Sequence, residues 1–110
     1  MKVIVDATIA TREAGSFGNV SGSIDLSAEP RIGDTISFNS SKAGSEMPPG
    51  FSGLVRVRKR VLTAGGDPHG PLIELEDIEV QSVEDAQALI SYLEHAFNLF
   101  ANVYDENDER

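Results

Sequence analysis

The sequence predicts an α+β domain: a strongly bent antiparallel five-stranded sheet, or a small open barrel, packed by one C-terminal α-helix. Three observations carry that expectation. Apolar and polar residues alternate over much of the chain up to Val80, and glycines and prolines interrupt the alternation at short intervals. After Gln81 the apolar period lengthens from two residues to about 3.6, the period of a helix.

Residues 2 to 11, KVIVDATIAT, place Val3, Val5, Ala7 and Ile9 on one face and Lys2, Asp6 and Thr8 on the other, which marks a first strand. After the turn signal REAGS, residues 17 to 26 alternate again through Val20, Ile24 and Leu26, with Gly22 permitting a bend. Pro30 breaks this pattern, and a third strand is expected from about Ile32 to Phe38. Residues 39 to 51 are small and polar and close on Pro48-Pro49-Gly50, so they read as a mobile loop.

Residues 52 to 63 form the expected fourth strand and 71 to 80 the fifth, joined by AGGDPHG. In the fifth, Ile73 and Leu75 share one parity and Ile78 and Val80 the other. Such a change inside one apolar strand predicts a β-bulge, placed at Glu76 and Asp77. Residues 82 to 104 then carry Ala86, Leu89, Ile90, Leu93, Phe97, Phe100 and Tyr104 on one helical stripe, with Ser82 and Asp85 spaced as an N-terminal capping pair. The domain therefore spans 1 to 104. The tail 105 to 110, DENDER, has nothing apolar to bury and reads as disordered and acidic.

Composition narrows the chemistry. With no cysteine, disulfides, thiolate metal sites and a cysteine nucleophile are excluded together. Eighteen acidic residues against nine basic give a net charge of −9. That balance disfavours nucleic acid and anionic membrane surfaces, both of which attract Lys and Arg, and suits a basic protein partner. No long apolar run or targeting pattern follows Met1, so a cytoplasmic location is expected. The element order is loosely similar to small SH3-like or oligonucleotide-fold barrels, a likeness of fold that carries no function.

Against that acidity, VRVRKRV at 55 to 61 concentrates positive charge. Strand alternation would set Arg56, Arg58 and Arg60 on one face as a stripe. If Thr63 paired with Pro71, Arg60 would face Glu74 and Arg58 would face Glu76, neutralising the stripe by cross-strand ion pairs. Out of that register, the arginines and His69 would form a small-anion or phosphate site. Lys59 falls on the wrong parity and is read as the mark of a sheet edge.

No catalytic constellation emerges. In GGDPHGP, Asp67 could orient His69, but Gly, Asp and Pro there serve a tight connection, and no nucleophile is in view. NSSKAGS lacks the order of a Walker loop. His95 sits with Ser91 and Asn98 on a polar helix arc without a carboxylate at metal spacing. No cofactor and no metal are expected.

The helix stripe is broader than one sheet requires. Ala88, Tyr92, Leu99 and Val103 widen the apolar arc to roughly 220°, against the ~100° of a one-sided helix. They form a candidate interface for a second copy in a homodimer or for another protein. The alternative is that the 39 to 51 loop, with Met47 and Phe51, folds over the stripe. The function expected from these features is a noncatalytic, acidic interaction module of inhibitor, immunity or accessory-subunit type. The alternative is an anion-binding domain or minor enzyme using Arg56, Arg58, Arg60 and His69.

Overall fold

The computed structural model describes residues 1–40, 42, 44, 46–66 and 70–104. Its elements are β1 (Lys2–Thr11), β2 (Gly15–Asp25), β3 (Thr35–Ser37), β4 (Leu54–Val61), β5 (Leu72–Leu75), β6 (Ile78–Val80), α1 (Val83–Phe97) and β7 (Phe100–Val103). All five expected strand segments are strands and the helix is present. The architecture is α+β with a mixed sheet of seven strands in the order β3-β4-β5-β1-β2-β7, with β6 also paired to β1. The sheet is open, so the five-stranded, antiparallel and barrel-like expectations are corrected.

The mixed character arises at β1. It pairs antiparallel with β2 from Lys2↔Asp25 to Thr11↔Gly15, but parallel with both β5 and β6. A meander of neighbouring hairpins would have made every pair antiparallel. Here the long excursion through β2, β3 and β4 acts as the crossover that a parallel pair requires. Gly70 shows how closely β5 enters: its φ is +88°, and a Cβ there would lie 2.0 Å from the Lys2 carbonyl oxygen, so no other residue fits. The next residue accepts the Ile4 N–H on its carbonyl, Pro71 O, at 3.0 Å.

The bulge expected at Glu76 and Asp77 is present. Glu74 pairs with Asp6 and Ile78 with Ile9, so a step of four residues lies against a step of three. That extra residue returns Ile78 and Val80 to the buried face occupied by Ile73 and Leu75. It also divides the expected fifth strand into β5 and β6.

Helix α1 packs its Ala86, Leu89, Ile90 and Leu93 onto the inner face formed by Val3, Val5, Ala7, Ile9 and Val20. Ser82 Oγ accepts the Asp85 N–H at 3.2 Å, the expected cap, and the Glu13 carboxylate from the β1-β2 turn accepts the Val83 N–H at 2.9 Å. The helix ends at Phe97 rather than near 104. Asn98 takes the left-handed conformation, φ 61° and ψ 32°, which Asn tolerates and which turns the chain out of the helix. Residues 100 to 103 then form β7 on β2, with Val20 opposite Ala101 and Ser21 opposite Phe100. Among the described residues no helix is long and apolar enough to cross a membrane.

Candidate functional site

The expected arginine stripe is divided by a second bulge. Val57 pairs with Leu75 and Lys59 with Glu74, so Arg58 is the extra residue on β4. Directly opposed residues share a face. Lys59 therefore stands on the outer face with Glu74, while Arg60, opposite the fully buried Ile73, turns to the other face. The conditional pairing of Arg60 with Glu74 and Arg58 with Glu76 is not the register adopted. Lys59 interrupting strict alternation was the available signal, the same kind of parity change that located Glu76 and Asp77.

Two of the arginines have carboxylate partners. Arg58 donates to Glu74 at 2.5 Å and lies 3.6 Å from Asp77. The hydrogen bond to Glu74, opposed by partial desolvation and aided by the charges of Glu74, Asp77 and Glu76, holds its guanidinium above the ordinary arginine value. Arg60 reaches across to Glu29 at 3.0 Å, beside Pro30. Arg56 has no ion pair among the described residues and lines an open groove with Phe51, Ser52, Glu76, Asp77 and Glu79. Three carboxylates in that groove oppose an anion. His69 and Asp67 lie outside the described residues. Among the described residues no three His, Asp or Glu side chains converge as metal ligands.

The four residues expected to form a helical interface belong to two elements and their junction. Ala88 is exposed on α1, and Val103 is about half exposed on β7. Tyr92 and Leu99 are 5% and 4% exposed and belong to the core. Their shared arc dissolves because the helix stops at Phe97. Leu99 instead packs under β2, where its Cδ2 would lie 2.9 Å from a Cβ at Gly22.

Tyr92 is covered by the segment that follows β3. Its hydroxyl donates to the Phe38 carbonyl and accepts the Ser40 N–H at 3.1 Å. Its ring lies edge-on to Phe51 and Phe97, with centroids 6.3 and 6.0 Å away, and Phe38 meets Phe97 at 5.3 Å. Lys42 Nζ donates to the His95 carbonyl at 2.7 Å, placing a cation at the negative end of α1. At Tyr92, cover comes from Ser40 and Phe51 of the 39 to 51 segment rather than from a second chain.

Uncovered apolar side chains follow in β7 and just beyond it, in addition to exposed Ile32, Leu54 and Leu62 elsewhere on the surface. Phe100 is 77% exposed, Val103 51% and Tyr104 42%. Strand β7 pairs with β2 on one side and is the last strand of the sheet on the other. Tyr104 N–H donates to Phe17 O at 2.9 Å, which identifies the residues whose backbone turns toward β2. By alternation, Tyr104, Asn102 and Phe100 turn inward, and the N–H and C=O groups of Ala101 and Val103 face the open side. Composition could have suggested this strand, since Asn98 is a helix-stop residue and FANVY is rich in strand formers. Comparison with protein-family models, curated proteins and solved structures finds no match.

Proposed function

We propose that this chain is a noncatalytic interaction module that engages a protein through the open edge of β7. The observation that supports it is the aromatic ring of Phe100, 77% exposed on a terminal strand whose Ala101 and Val103 backbone groups face outward. Unpaired strand edges with apolar side chains accept an added strand, which gains affinity from the main chain and specificity from alternate side chains. The net charge of −9 adds long-range attraction for a basic partner. Inhibitor and accessory-subunit roles both use a surface of this kind.

Amide hydrogen exchange tests the reading directly. The N–H groups of Ala101 and Val103 should become protected either as protein concentration rises or on addition of synthetic strand peptides, offered as basic, neutral and acidic versions. Free exchange at both positions under all of these conditions would overturn it.

A further inference from the structure

Resting on that reading, we propose that the occupant of the β7 edge is a second copy of this chain, paired antiparallel about a two-fold axis passing at Asn102. A two-fold interface joins one surface patch to itself, so the patch must be self-complementary. Residues 100 to 104 read Phe-Ala-Asn-Val-Tyr: aromatic, small aliphatic, Asn, aliphatic, aromatic. The segment is symmetric in character about Asn102.

The backbone has the matching polarity. With Asn102 opposite its twin, Ala101 lies opposite the partner's Val103, and these are the residues whose N–H and C=O groups face the open side. Each such pair exchanges both of its hydrogen bonds. Phe100 then faces the partner's Tyr104 in the closer, non-hydrogen-bonded type of pair, where aromatic side chains interact favourably. All three exposed apolar residues gain cover in one register. An axis through Ala101 would instead oppose Phe100 to Asn102 and leave Tyr104 against Asn98, outside the strand.

The seam itself meets no like-charge contact, although the net charge of each copy opposes their approach. None of residues 100 to 104 is charged. What opposes pairing is the diffuse repulsion between two bodies of charge −9, which salt screens. Self-association therefore tightens as salt rises, whereas capture of a basic strand weakens.

The chain has no cysteine, so a single introduced thiol reports the register. Asn102→Cys places two sulfurs across a non-hydrogen-bonded pair with Cα atoms about 4.5 Å apart, within disulfide range. Oxidation should convert most of it to a covalent dimer, while Val103→Cys, displaced along the strand from its twin, should remain largely monomeric. In light scattering, the wild-type mass should fall from dimer to monomer on dilution, with the midpoint severalfold lower at high salt. Val103→Pro, which removes one outward N–H, and Phe100→Ser should be monomeric and retain the wild-type circular dichroism.

Equal cross-linking of the two thiol variants, or a dimer that survives Val103→Pro, would overturn the proposed register. A wild-type monomer at every concentration up to its solubility limit would overturn the self-pairing. If basic peptides nevertheless protected Ala101 and Val103 in that monomer, the broader reading would stand with a different partner. If nothing protected them, both would fall.

Discussion

Tyr92 and Phe100 are aromatic residues eight positions apart, on either side of the same helix terminus, and they meet opposite surroundings. Tyr92 is 5% exposed, with its hydroxyl bonded to the Phe38 carbonyl and the Ser40 N–H and its ring edge-on to Phe51 and Phe97. Phe100 is 77% exposed on a strand with one neighbour. Both would lie on the apolar side of a helix continued to 104. The left-handed turn at Asn98 separates them, sending one side of the stripe into the core and the other to the sheet edge. An apolar residue thus becomes structural or available according to which segment arrives over it, and among the described residues such a segment covers Tyr92 and leaves Phe100 exposed.

The comparison can be broken most forcefully at Leu99, between the two aromatics. Leu99→Glu buries an unpaired charge at a 4% exposed position and should cost at least about 4 kcal/mol. Denaturant unfolding should show a largely unfolded protein; a folded, soluble variant would contradict the placement of Leu99 in the core. Tyr92→Ala is next, removing a buried ring at about 3–5 kcal/mol, measured as a shift in the urea midpoint. Tyr92→Phe isolates the hydroxyl and should cost about 1–3 kcal/mol, because Phe38 O and Ser40 N lose a partner while the ring packing remains.

Ser82→Ala should cost about 1 kcal/mol by removing the acceptor of the Asp85 N–H, and it should do so without changing association, since the helix start is remote in sequence from β7. At the small end, Phe100→Ser should alter monomer stability by no more than about 0.5 kcal/mol. Its unfolding curve, measured on dilute protein, should overlay the wild type, in contrast to Tyr92→Ala. A large loss at Phe100 would mean that the ring is covered after all and would erase the distinction between the two sites.

Much of the candidate site was legible in composition but not in position. The loop over Tyr92 was an available reading because Met47 and Phe51 are apolar residues in an otherwise polar segment. Strict alternation sets the three arginines on one face, but the register shifts at Arg58. Beyond that bulge Lys59 belongs with Glu74, and Arg60 turns away to Glu29. The β7 edge was hidden because Phe100 and Tyr104 continue the helical spacing of Leu89, Leu93 and Phe97 closely enough to be read as one stripe.

Local pattern alone determined the α+β class, the buried face of β1, the change of parity at Glu76 and Asp77, and the Ser82 cap, since each depends on residues close together in the chain. Exclusion of thiolate chemistry likewise needed only composition. Tertiary structure decided that β5 and β6 run parallel to β1, that Arg60 leaves the stripe, and that the last apolar residues form an edge strand. The reason is the same in each case. Strand pairing joins residues distant in sequence, and a shift of one residue exchanges the two faces of a strand, so it is the neighbour across the sheet that decides which side chains are buried and which stay exposed.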